Sequence, residues 1–143
     1  IPTSDQVAAL LQTCSNPAAP ESLKVKCVGV LGLLAKVQGH VEINKTIGVF
    51  LVNLLETTSS VEIISEALNA LYDVYADAAF DYDLPVFVQG GFLAKLKELL
   101  PPIKAKIKGL DKRRARAVRE RGEEALLNLR AFIQYKEKER KRS

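Results

Sequence analysis

The sequence has few of the residues from which metal and catalytic sites are built. Its 143 residues include one histidine, two cysteines and no tryptophan or methionine. His40 has no second histidine with which to share a metal ion, and Cys14 and Cys27 are too few for a zinc site. No nucleophile elbow, phosphate loop or glycine-rich nucleotide fingerprint is present. We therefore expect no enzyme, no metal and no cofactor.

Long apolar runs are also missing. The longest, such as Val28–Ala35 and Ile47–Leu55, are interrupted by Gly32 and Asn53 and fall short of the roughly 20 residues that a membrane span needs. We therefore expect no membrane association and, since Ile1–Leu10 lacks a basic start before an apolar run, no signal peptide. The start at Ile1, without methionine, favours a piece of a longer protein. Both cysteines have apolar neighbours, which predicts buried free thiols and a reducing compartment.

Helix signals follow one another with no convincing strand between them. Pro101 and Pro102 predict that the fifth helix stops or kinks after Leu100. The six predicted helices are Ser4–Leu11, Glu21–Val37, His40–Glu56, Val61–Asp77, Phe92–Leu100 and a last one from Lys112 to Tyr135 or beyond.

The predicted helices alternate between two types. Leucine pairs end the first, third and fifth at spacings of 44 and 45 residues, within the range of armadillo and HEAT repeats. Residues 1–143 are therefore predicted to form one all-α unit, a right-handed α-solenoid of about three armadillo/HEAT-like helix pairs. A longer last step predicts a basic insertion at about 103–121 before a C-terminal capping helix at about 112–139.

Acidic side chains form a stripe on the fourth predicted helix. At about 100° per residue, the stripe occupies an arc of roughly 80° beside an apolar face. Carboxylates four residues apart repel each other, so local helix stability does not explain the stripe. In a solenoid the last helix of each unit lines the groove, so two interpretations of the stripe stay open: partner binding and a merely solvated polar edge. The candidate partner-binding residues are Glu62, Glu66, Asn69, Tyr72, Asp73 and Asp77.

Basic residues concentrate near the other end. Residues 1–100 have a net charge of −5 and residues 101–143 one of +9, within a chain of +4. Three interpretations of KRRARAVRER, residues 112–121, stay open: solvated or locally paired charge, a protein or RNA contact, and a nuclear localisation signal. No aromatic residue lies between Lys104 and Arg121 to stack on bases, which disfavours single-strand RNA. The candidate secondary contacts are Lys112, Arg113, Arg114 and Arg116.

Two segments resemble parts of an armadillo unit. FVQGGFLAKLKELL is similar to the turn between its first and second helices, and EALNALYDV is similar to its third helix. In the importin alpha family that third helix carries a Trp and an Asn that clamp a basic peptide. Here Asn69 stands at the Trp position and Asp73 at the Asn position, so we expect no clamp of that kind.

A closer resemblance covers residues 61–139. EALNALYDVYAD, LKELLPPIKAKIK and NLRAFIQYKE look like the C-terminal end of the symportins, armadillo and HEAT repeat proteins. The resemblance implies chaperoning and co-import of the two basic 5S rRNA-binding proteins of the large ribosomal subunit, with shuttling between nucleus and cytoplasm. It also implies a transportin-type import receptor, bound through regions outside these residues.

Two other functions stay open. An RNA-binding module would use the basic segment from Lys104 to Arg121, and its affinity would fall steeply with salt. A structural end cap of a longer solenoid would have no ligand of its own, and the basic ending KEKERKRS fits a solubilising cap.

Overall fold

Helices make up almost all of the structure. The computed structural model describes residues 4–38, 41–75, 91–109 and 116–142, which form six helices and no strand. None of these helices combines the length and hydrophobicity that crossing a membrane requires. The helices are α1 (Ser4–Ser15), α2 (Glu21–Gln38), α3 (Val41–Thr57), α4 (Val61–Tyr75), α5 (Gly91–Lys108) and α6 (Arg116–Arg142).

The helices pack as three consecutive pairs, α1 with α2, α3 with α4 and α5 with α6. The second helices form one layer in which α4 lies between α2 and α6, while α3 contacts α1 and α5 on the other side. This stacking of helix pairs confirms the predicted all-α solenoid.

Side-chain hydroxyls form hydrogen bonds with the backbone near helix ends. Ser60 Oγ accepts a hydrogen bond from the Ile63 amide at 3.3 Å, so Ser60 is the N-cap of α4. Helix α1 reaches Ser15 rather than ending at Leu11 as predicted. Thr13 and Ser15 each donate a side-chain hydrogen bond to the carbonyl four residues earlier, at 3.0 and 2.8 Å.

Helix α5 does not stop at Leu100, so a helix end before the two prolines is wrong. Because proline has no N–H, the carbonyls of Lys97 and Glu98 lose their intrahelical hydrogen bonds. Pro101 and Pro102 are exposed, so water can donate hydrogen bonds to these carbonyls instead. Beyond the prolines, Ile103 is 0% exposed, and its burial favours continuing the helix. The described parts of the basic segment 103–121 are thus the end of α5 and the start of α6.

The core is a single cluster of buried, mostly aliphatic side chains contributed by all six helices. Cys14 and Cys27 belong to it as free thiols, as predicted. Burial, helped by the neighbouring Cys27 thiol, raises the pKa of Cys14 to about 12. The largest fully buried side chains are Leu31, Ile47, Leu51, Leu55, Ile64, Leu71, Leu96, Ile103 and Leu129.

Small residues set the contact between α2 and α4. A Cβ placed on Gly32 would stand 2.9 Å from both Cα and Cβ of Ala70. A Cβ on Gly29 would meet only the Glu66 carboxylate, at 3.5 Å, an ordinary contact. Of these two glycines, Gly32 is therefore the one at which α4 approaches the α2 backbone more closely.

Charged side chains join α5 to its neighbours. Lys106 Nζ donates hydrogen bonds of 3.1 Å to the carbonyls of Leu55 and Glu56 at the end of α3. Lys95 forms an ion pair with Glu56, and the hydrogen bond between these two side chains raises the pKa of Lys95. The Lys106 ammonium thus satisfies helix carbonyls that have no intrahelical partner.

We predict that Gly32→Ala destabilises the chain. The added methyl group would force α2 and α4 apart, and overpacking of this kind costs about 1 to 3 kcal/mol of unfolding free energy. Urea denaturation measures the change. Gly29→Ala is the matched control, and we expect it to be neutral or stabilising by up to about 1 kcal/mol because alanine is the better helix former. Equal effects of the two substitutions would contradict the close approach at Gly32.

We predict that Lys106→Met lowers the free energy of unfolding by about 1 to 2 kcal/mol, because two carbonyls at the end of α3 lose a charged donor. The exposed Lys104, on the same helix, provides the control substitution Lys104→Met. Parallel urea titrations compare the two variants. A loss no larger than that of Lys104→Met would show that the Lys106 contact contributes nothing.

Candidate partner-binding surface

The surface of α4 is a narrow strip between α2 and α6. Asn69 and Tyr72 are exposed on it, whereas Glu62, Glu66 and Asp73 are half-buried beside them. The opposite side of α4 is buried, since its apolar residues fill the core. The described candidates of the acidic stripe thus lie along one surface of the layer of second helices.

Glu62, Glu66 and Asn69 line a shared cavity of about 630 Å³, here called the acidic groove. Residues of α2 and α6 form its sides, so all three second helices contribute. The lining contains four carboxylates and two cations, so its net charge is negative. The charged lining residues are Glu21, Glu62, Glu66 and Glu124, with Lys26 and Arg121.

Local contacts orient the carboxylates of the stripe. Glu62 accepts a long hydrogen bond of 3.4 Å from the Ser60 cap at the start of α4. Glu66 and Asp73 lie beside the two glycines of α2, where the absent side chains leave room for them. Asp73 does not line the acidic groove, because it lies further along α4.

Tyr72 lies in a second cavity, between α4 and α6, of about 400 Å³. We call this cavity the aromatic pocket. The Tyr72 ring contacts the Phe132 ring edge to face, with centroids 5.7 Å apart and planes inclined at 67°. Tyr135 and Leu96 are also in the lining, and Asn69 lines both cavities. Tyr72 is therefore separated from the carboxylates with which it was grouped.

The sequence interpretation missed the contribution of α6 to this surface. Phe132 is 7% exposed and belongs to the core, yet its ring also lines the aromatic pocket. Asn128 and Tyr135 had no predicted role. They lie four residues before and three residues after Phe132, so all three side chains are on the same side of α6. This helical spacing could have identified them from the sequence.

Among the basic candidates, only Arg116 lies in a described range. It is exposed, and its Nε donates to Glu120 Oε1 at 2.9 Å, a pair four residues apart on the helix surface. The local pairing that the sequence left open is thus present at Arg116. Lys112, Arg113 and Arg114 lie outside the described residues, as does Asp77 of the acidic stripe.

Metal ligands do not cluster in the part of the chain that the structure describes. No three His, Cys, Asp or Glu side chains there are arranged to hold a metal ion. The groups on this surface can make binding contacts: carboxylates with cations, amides with polar backbone and aromatic rings with apolar side chains.

Known proteins resemble the chain over almost its full length. A family model described as "SYO1-like, TPR repeats" matches residues 1–140. Symportin 1 of Chaetomium thermophilum is 47% identical over 140 residues, which cover 95% of this chain and 21% of that protein. Synchronized import protein 1 of Saccharomyces cerevisiae is 38% identical over 116 residues, which cover 80% of this chain and 19% of that protein.

A third relative is named for its role in transport. The Schizosaccharomyces pombe armadillo repeat protein involved in nucleocytoplasmic transport, Syo2, is 37% identical over 136 residues, covering 94% of this chain and 20% of the relative. The chain thus spans about a fifth of the length of these relatives. It belongs to the SYO1-like family of helical repeat proteins, the symportin family whose resemblance its C-terminal half predicted.

Proposed function

We propose that the chain is a protein-binding part of a nucleocytoplasmic transport adaptor, with no catalytic role. The protein to which it belongs would chaperone and co-import the two basic 5S rRNA-binding proteins of the large ribosomal subunit. The observation that carries the proposal is the acidic groove, to which all three second helices contribute. Family membership and the transport names of its relatives support the same conclusion.

The charge of the groove suits a basic partner. Ribosomal proteins carry many lysines and arginines to bind RNA, and an acidic surface speeds their encounter and covers that charge. Exposed ion pairs contribute at most about 1 kcal/mol each, so the carboxylates must act together. Binding should therefore weaken as salt screens the surface over a Debye length.

The remaining steps of transport belong to regions outside this chain. A transportin-type import receptor would bind elsewhere in the protein, and the whole would shuttle between cytoplasm and nucleus. The groove would keep the cargo away from RNA until the 5S particle assembles. Under this proposal the groove holds the protein cargo, and RNA is at most a secondary ligand of the basic segment.

We predict that the double variant Glu62→Lys/Glu66→Lys binds the basic ribosomal proteins at least about tenfold more weakly, because attraction at two positions becomes repulsion. Isothermal titration with each of the two 5S-binding proteins, at two salt concentrations, measures the change. We also expect higher salt to weaken binding by the unsubstituted chain and to reduce the difference between the two chains.

The matched control is Asp5→Lys/Glu123→Lys, which makes the same charge change at exposed positions outside the groove. We expect it to keep most of the affinity. Circular dichroism and thermal melting check that both double variants fold. Unchanged cargo affinity in a folded groove variant would refute the proposal, and binding of 5S RNA alone would assign the function to Lys104–Arg121 instead.

A further inference from the structure

The acidic groove and the aromatic pocket are neighbouring parts of one surface. Asn69 of α4 and Asn128 of α6 line both cavities, so no helix separates them. The acidic groove is lined by the earlier residues of α4 and α6, and the aromatic pocket by later ones. A single extended segment of a partner can therefore reach both.

The aromatic pocket has the composition of an anchor site for an apolar side chain. Its floor is formed by buried leucines, among them Leu71 and Leu129, and its rim by two tyrosines. Tyr72 is 53% exposed and Tyr135 42% exposed, so both rings would lose water contact when a side chain enters. Exposed aromatic residues around a buried apolar floor are typical of the residues that contribute most to binding.

Two of the rings that line the pocket also contact a cation. Lys136 is buried, and its Nζ lies 5.9 Å from the centroid of the Phe132 ring and 6.0 Å from that of Tyr135. Both rings line the pocket, whereas Lys136 does not. The leucine floor and the aromatic rim therefore favour an apolar side chain, whereas the carboxylates of the acidic groove favour basic ones.

We infer that the partner segment is bipartite, with a basic cluster in the acidic groove and one aromatic or large aliphatic side chain in the aromatic pocket. Glu66 and Tyr72 are six residues apart on α4, and Glu62 and Tyr72 are ten apart. At 1.5 Å per helical residue these separations are about 9 and 15 Å, which an extended peptide spans with about three to five residues. The basic part of this inference rests on the proposed function.

Synthetic peptides test the apolar part directly. The probes are short lysine-rich peptides with one phenylalanine placed three to five residues from the cluster, on either side, and the same peptides with alanine there. Fluorescence anisotropy measures their affinity for the chain. We expect a phenylalanine peptide to bind about tenfold more tightly than its alanine partner, because only phenylalanine fills the pocket.

Ala131→Phe fills the pocket from within, since Ala131 is exposed and part of the lining. We expect this variant to bind both peptides of a pair equally, at the affinity of the alanine peptide. Ala117→Phe, at an exposed position on the same helix outside the pocket, is the matched control and should keep the difference. Circular dichroism confirms that both variants are helical.

The two proposals fail differently. Glu62→Lys/Glu66→Lys should weaken both peptides by the same factor, and no weakening would refute the acidic groove while leaving the pocket intact. Equal affinities of phenylalanine and alanine peptides for the unsubstituted chain would overturn the pocket, as would the absence of any peptide binding. A dimer in sedimentation experiments that Ala131→Phe dissociates would also overturn it, because the occupant would be a second copy.

Discussion

The position of α4 between α2 and α6 is the constraint on which the rest of the structure depends. Gly32 lets α4 lie against the α2 backbone, while Phe132 packs on Tyr72 from the other side. Burial on both flanks leaves α4 a strip of surface one or two side chains wide. The residues described on that strip are therefore next to a neighbouring helix, and both the acidic groove and the aromatic pocket have walls from more than one repeat.

This arrangement explains why like charges are tolerated four residues apart. Glu62 and Glu66 repel each other, but for carboxylates that remain in contact with water on a helix surface the cost is a few tenths of a kcal/mol. Cations from the flanking helices, Lys26 and Arg121, offset part of it. The residual negative charge is then available to a partner, and it is displayed by three repeats at once. A solenoid thus builds a charged surface from side chains that no single helix pair would bring together.

Local patterns predicted the elements but not their combinations. Helical periodicity identified α4 with its stripe and its buried face, and small apolar surroundings identified the buried cysteines. The same rules could not exclude a helix end at Pro101, because they count the hydrogen bonds that proline removes and not the burial of Ile103 two residues later. They also grouped Tyr72 with the carboxylates, since a periodicity gives the side of a helix but not the neighbour that it faces. The aromatic pocket depends on α6 as much as on α4, and that pairing is non-local.

The contact between Gly32 and Ala70 also limits how this sequence can vary. Every possible missense change at a glycine adds at least a Cβ, and at position 32 that atom would meet backbone rather than a flexible side-chain end. Gly29, three residues earlier on the same helix, meets only a carboxylate that can move aside. Two glycines with the same local sequence signal therefore differ in mutational tolerance: one position accepts alanine, and the other accepts no replacement without moving a helix.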